Sequence, residues 1–222
     1  MTYVIIHALA PIFVIMLLGF WAGKAGMVDN KNVSLLNIFV MDFALPATLF
    51  SATVQTPWAG IVAQSPLVLV LTGAMWITYA GIYFLATSVF KRTPQDAAVL
   101  TLTVALPNYA ALGLAATAAA LFLTGVILSA RKLQINALIA TSTLVKLLVQ
   151  PFIAWGLVML LGLHGSIAIT AILMIALAAG FFGVVFGNRF GVQSPDAEAV
   201  LLLSSVLCIL SLPLFISLTS GL

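Results

Sequence analysis

Apolar residues in this chain form long runs rather than short alternating segments, and the few charges fall between those runs. Such runs predict membrane-spanning helices. A helix satisfies its backbone hydrogen bonds within one segment, and about 20 residues cross a ~30 Å hydrocarbon core. A transmembrane β-barrel would instead show short alternating strands. The expected spans are Met1–Gly23, Val33–Thr53, Leu67–Phe90, Ala137–Leu161, Ile167–Gly187 and Ala199–Ser217. Between Ala97 and Ala130 lie 34 residues without a charge. One straight helix of that length would measure about 51 Å, too long for one crossing.

The charges in the loops decide how that run is divided. Successive loops carry 2, 0, 2, 2, 0 and 1 Lys or Arg. The positive-inside rule fits with the N-terminus outside only if Ala97–Ala130 crosses an even number of times. Two short spans with a turn near Gly113 give eight spans; seven is the rival. The uncharged start precedes Lys24, the reverse of a signal peptide's polarity. The chain is thus expected to be a multi-pass protein of the inner (plasma) membrane.

Composition agrees. Of 222 residues, 8 are Lys or Arg and 5 Asp or Glu; 64% are hydrophobic, and the mean hydropathy is +1.27. That is too little charge for a soluble surface and too much apolar content for disorder. The expected class is all-α: a polytopic transmembrane helical bundle in the lipid bilayer. The single cysteine, Cys208, allows no internal disulfide or cysteine metal cluster. The net charge of +3 reads as topology, with no nucleic acid partner. No P-loop, HExxH or GxSxG motif appears, so no enzyme, cofactor or metal site is expected.

Four polar or broken places fall near the bilayer centre. Counting 1.5 Å per residue from the flanking loops, Asp42 lies about 16 Å deep, Pro107-Asn108 about 17 Å, Lys146 about 15 Å and Gly180 about 13 Å. Asp42 and Lys146 are the charges deep inside spans. Each costs about 2.5–3.5 kcal/mol at the centre on translocon scales, so such groups line cavities or pair with one another. Lys146 could instead snorkel, and Asp42 could be a protonated core carboxyl. Asn136, Thr143, Lys146 and Gln150 share one helix face, either an aqueous cavity wall or a helix–helix seam.

Leu106-Pro107-Asn108-Tyr109 should break its helix, because proline frees a carbonyl. A weaker candidate break, with glycines but no proline, is Ala178-Ala179-Gly180-Phe181-Phe182-Gly183. Paired broken helices at the midplane mark transporter sites, although close packing through small residues would explain either one. Pro11, Pro46, Pro151 and Pro213 read as kinks, His7 and His164 as span-end residues, and Cys208 as packing.

The order of these pieces resembles the auxin efflux carrier family, which includes bacterial malonate and malate permeases. The resemblance is carried by Pro11-Ile12-Phe13 to Leu18-Gly19-Phe20, Leu36-Asn37, Phe43-Ala44-Leu45-Pro46-Ala47-Thr48-Leu49-Phe50, Phe90-Lys91-Arg92-Thr93 to Asp96-Ala97-Ala98, and Pro107-Asn108 to Leu112-Gly113. It continues through Leu121-Phe122 to Gly125, Lys146-Leu147-Leu148 to Pro151, and Phe186 to Arg189-Phe190-Gly191. It implies a ten-helix secondary transporter of two inverted repeats, whose broken fourth and ninth helices cross at the substrate. Pro107 and Asn108 then lie at the first crossover and Ala179 and Gly180 at the second, where the family usually has proline. Against that pattern, the fifth and sixth helices are expected to be missing here. Residues 1–222 form one transmembrane domain, with 1–113 from the first repeat and 114–222 from the second.

The expected function is secondary transport, as a permease or symporter, of a small organic anion such as malonate or malate. Pro107, Asn108, Lys146, Gln150, Ala179 and Gly180 bind it. Asp42 either carries a coupling proton or pairs with Lys146. A monomer would have a defective site unless the joined segment or a second copy, as a homodimer, fills the gap. The rival is an internally truncated, non-transporting membrane protein or helical assembly partner.

Overall fold

The computed structural model describes residues 14–28, 30–108, 115–129 and 135–222. Helices account for nearly all of them. They are α1 (Val14–Lys24), α2 (Asn30–Ile38), α3 (Leu45–Gln55), α4 (Trp58–Ala63), α5 (Ser65–Phe84), α6 (Pro94–Ala105), α7 (Ala115–Ser129), α8 (Ala137–Leu144), α9 (Gln150–Leu160), α10 (Gly165–Ile175), α11 (Phe182–Arg189) and α12 (Pro195–Thr219). Among the described residues, two π-helical turns join neighbours into continuous rods, Phe39–Ala44 and Val145–Val149, and a third, Leu85–Val89, extends α5. Four rods are long and apolar enough to cross a membrane: Leu35–Gln55, Ser65–Val89, Ala137–Leu160 and Pro195–Thr219. They match four of the expected spans to within a few residues. His7, Pro11, Tyr109, the turn near Gly113, Arg131 and Lys132 lie outside the described residues.

Local chemistry explains the boundaries. Pro46 and Pro151 each follow a π turn. Proline supplies no N–H to the preceding turn and its ring crowds the carbonyl there, so the helix widens instead of breaking. α6 and α12 start alike. Thr93 Oγ1 accepts from the Asp96 N–H and Ser194 Oγ from the Ala197 N–H, each with proline at the first helical position. Lys91, in the left-handed region at φ 54°, ends the α5 rod as Arg92 N–H reaches back to the Ala86 carbonyl.

Three expectations need correction. The helix within Ala97–Ala130 stops at Leu106, ahead of Gly113, because proline ends it there; α6 is only 12 residues long. Ile167–Gly187 is two helices, with the chain leaving helical geometry between Ile175 and Phe182. The second break is thus as complete as the first although it has no proline. The last helix begins at Pro195, so Asp196 and Glu198 sit in its first turn, both buried. There Asp196 Oδ2 lies 2.6 Å from Arg92 Nη2, and Oδ1 accepts from Asn136 Nδ2 at 2.8 Å. One carboxylate therefore ties together the starts of α6, α8 and α12.

α6 is the most enclosed element, packed by α5, α11 and α12. Its Thr101 and Thr103 hydroxyls bond back to the Ala97 and Val99 carbonyls. α11 can approach so closely because it presents glycine. A Cβ on Gly183 would strike the Thr103 side chain and backbone and the Val99 carbonyl. A Gly183→Ala variant should lose about 1–3 kcal/mol of stability, the cost of overpacking. Gly156→Ala on α9, facing open space, should lose none, and thermal unfolding in detergent compares the two.

Candidate functional site at the crossed helix breaks

Each half-helix leaves carbonyls without intrahelical partners at its end, and inside a membrane these must be met by protein. The two breaks meet each other's needs. Pro107 and Ala179 form an isolated antiparallel bridge. The Asn108 N–H donates to the Ala178 carbonyl at 2.9 Å. The Gly180 N–H is shared between the Leu106 carbonyl at 2.7 Å and the Thr103 carbonyl at 3.0 Å. Glycine is required at 180 by proximity, since a Cβ there would lie 2.7 Å from the Leu106 oxygen. The Ala179 N–H, on the other edge, donates to Ser204 Oγ of α12 at 3.1 Å.

The α8–α9 rod supplies the remaining donors. Gln150 Nε2 donates to the Ala105 carbonyl, the last of α6, at 2.7 Å. Lys146 Nζ donates to the Ile175 carbonyl, the last of α10, at 3.3 Å, and to Gln150 Oε1 at 2.7 Å. Both side chains are fully buried. A positive group at a helix C-terminus is favoured by the helix dipole, and here one lysine–glutamine unit serves two such ends. Cys208 Sγ lies 3.7 Å from the Ala176 carbonyl beside the same break.

The sequence-predicted site residues divide cleanly. Pro107, Asn108, Ala179, Gly180, Lys146 and Gln150 come together in one buried cluster. Asp42 does not join it. Its carboxylate pairs with Arg189, Oδ2 to Nη2 at 2.9 Å, where both side chains are more than a third exposed. The expected Asp42–Lys146 pair is therefore replaced. Counting depth along the chain placed the two charges at one height, but lateral packing sets partners. α2 lies on α11, where Asn37 Nδ2 donates to the Val185 carbonyl, so Asp42 meets the last residue of α11. Arg189, expected in a loop, is that last residue.

Apart from the exposed Asn136, the polar stripe faces protein, where its charge had favoured an aqueous cavity over a helix–helix seam. Asn136 caps α8 through the Ile139 N–H, while Thr143, Lys146 and Gln150 are buried. The open space lies elsewhere. A cavity of about 230 Å³ between α5 and α6 is lined by Thr72, Met75, Trp76, Tyr79, Leu102, Ala105 and Leu106, touching the first break from its apolar side. Ser204 and Thr103 escaped the sequence reading. A serine ten residues into an apolar helix is an ordinary back-bonded residue by pattern, and only the crossing of α10–α11 beside α12 gives it an amide to hold.

The chain matches a family model described as "Membrane transport protein" in two stretches, residues 4–119 and 110–216. It is 34% identical over 111 residues to proteins named "Uncharacterized transporter YfdV" from Escherichia coli K12, Escherichia coli O157:H7 and Shigella flexneri. The aligned stretch is 48% of this chain and 34% of each relative, so the chain spans about a third of the length of the relatives it matches. The resemblance to the auxin efflux carrier family is borne out.

Lys146→Met and Gln150→Leu should each destabilise the fold, because each strands a buried carbonyl or its partner. The double variant should cost less than the sum by about 0.5–3 kcal/mol. Equilibrium unfolding of the four proteins in mixed micelles measures that coupling.

Proposed function

Because the chain belongs to the membrane transport protein family, we propose that the crossed breaks are the substrate site of a secondary transporter for a small organic anion such as malonate or malate. The observation that carries this is the state of Lys146. Its ammonium is fully buried, uses two of its three N–H groups on the crossover, and has no ion-pair partner among the described residues. A buried positive charge without a counter-charge is costly. A carboxylate arriving at the third N–H would supply that counter-charge, with Asn108 and the start of α11, two residues beyond Gly180, as neighbouring donors.

Asp42 carries the coupling proton in this proposal, the Arg189 pair opening to admit it. The setting is the inner membrane with the N-terminus outside, and the carrier acts as a symporter. A specific observation favours a second outcome for the isolated chain. The two stretches that match the family model overlap at residues 110–119, where the fifth and sixth helices are expected and missing. A single copy would then bind anion without moving it, and a second copy would be needed to complete the path.

Purified protein reconstituted in liposomes tests both. Radiolabelled malonate should bind, and Lys146→Met should weaken binding by about 10- to 100-fold, the loss of a hydrogen bond to a charged group. Asp42→Asn should leave binding intact while removing the response of uptake to an imposed pH gradient. Binding by Lys146→Met equal to that of the unaltered protein would overturn the site. Full-rate flux by crosslink-verified monomers would overturn the truncated, non-transporting outcome.

A further inference from the structure

The cavity of about 230 Å³ between α5 and α6 has no part in the crossover cluster. Met75, Trp76 and Tyr79 wall it on α5, and Leu102, Ala105 and Leu106 on α6. The Ala105 and Leu106 carbonyls receive Gln150 and Gly180, so its back wall is the first break. Trp76 is 66% exposed, and the rod that carries it is mostly unburied, so the cavity opens sideways onto the lipid-facing side of the bundle. A cavity with such apolar walls stays dry. It is also smaller than the ~300–1,000 Å³ of sites for drug-sized ligands. A slim, apolar group supplied by the bilayer fits it.

Its height follows from counting on both walls. Tyr79 stands 12 residues before Lys91, and Leu106 stands 12 residues after Pro94. Each is therefore about 18 Å from that end of the bundle. The middle of a ~30 Å hydrocarbon core, where phospholipid tails end, lies about 15 Å from its edge. From the cavity a ladder of rings descends α5 toward Lys91. The Trp76 and Tyr79 centroids are 5.8 Å apart, and Tyr79 and Tyr83 stack at 6.3 Å, nearly parallel. Lys91 is exposed and makes no hydrogen bond or ion pair with a described residue, whereas Arg92 beside it is tied to Asp196. At φ 54° it occupies a position that favours glycine, so the turn itself does not call for a lysine.

We propose that one anionic phospholipid binds here, with its phosphate on Lys91 and one acyl chain laid along the Tyr83–Tyr79–Trp76 ladder, its end in the α5–α6 cavity. A lysine near the membrane surface attracts anionic headgroups, and the chain end supplies the dispersion contacts that the cavity walls lack. The tail props the first break from behind, where Ala105 and Leu106 hold Gln150 and Gly180. This site does not depend on what the crossover carries.

The full chain in mild detergent, titrated with lipids and read by thermal shift and native mass spectrometry, tests this. Dioleoyl phosphatidylglycerol should stay bound as a single copy and raise the melting midpoint by about 2–4 °C. Dioleoyl phosphatidylcholine, dihexanoyl phosphatidylglycerol and inorganic phosphate should each leave it within about 1 °C. Lys91→Gln should cut retention of the long-chain phosphatidylglycerol about fivefold, the worth of one lysine at an anionic surface. Leu102→Phe, filling the cavity from a half-buried position, should raise the lipid-free midpoint and remove the long chain's advantage over the short one. An equal shift from phosphatidylcholine, or unaltered retention in Lys91→Gln, would overturn the headgroup contact and with it the proposal. Equal shifts from both chain lengths in the unaltered protein would do the same for the tail in the cavity, as would an undiminished long-chain advantage in Leu102→Phe.

Discussion

An unsatisfied backbone amide or carbonyl inside a membrane costs several kcal/mol, and the organisation of this bundle follows from that constraint. Two helices stop halfway, each exposing polar backbone. They stop at the same place, and each supplies what the other lacks. The Pro107–Ala179 bridge, the shared Gly180 N–H and the Asn108 N–H close most of the gap. The neighbouring helices are held to the same standard. Gln150 reaches Ala105, Lys146 reaches Ile175, and Ser204 receives Ala179. Gly183 matters for a related reason, since backbone pairing at the crossover requires α6 and α11 to run almost in contact.

Lys146 stands under two demands. As a fastener it donates to a helix end and to Gln150, which a neutral donor could also do. As a charge it has no acid beside it among the described residues, and burying an ion without a counter-ion is expensive. A protein that needed only the fastener could have used a glutamine. It is on that retained ammonium that the proposed anion site rests. Asp42, the acid that counting along its helix placed at a similar depth, belongs instead to Arg189 at the edge of the bundle.

At the other end of the same three helices, Arg92, Asp196 and Asn136 bind the starts of α6, α8 and α12 into one knot. Each helix then climbs to a different part of the crossover: α6 to Ala105 and Pro107, α8 to Lys146, α12 to Ser204. The site is thus braced from below, while the apolar cavity on the α5 side leaves the first break less enclosed laterally.

Much of this was legible in the residues. Membrane class, the four long rods, the break at Pro107 and the shared face of Lys146 and Gln150 follow from hydropathy, proline chemistry and four-residue spacing, all of which act within one helix. The second break was underestimated because Ala178–Gly183 has no proline. Its helix ends for a tertiary reason: the Gly180 and Ala179 amides are more strongly held by Leu106, Thr103 and Ser204 than by their own turn. The partner of Asp42 was likewise beyond reach. Distance along a helix gives depth, whereas which helix lies beside it is decided by side-chain packing between segments more than a hundred residues apart. The sequence by itself determined that the chain is a bundle of membrane helices with polar groups at mid-depth, because those properties are local. Only the tertiary structure decided which breaks meet and which buried charge has no counter-charge among the described residues, because each depends on what a neighbouring helix brings.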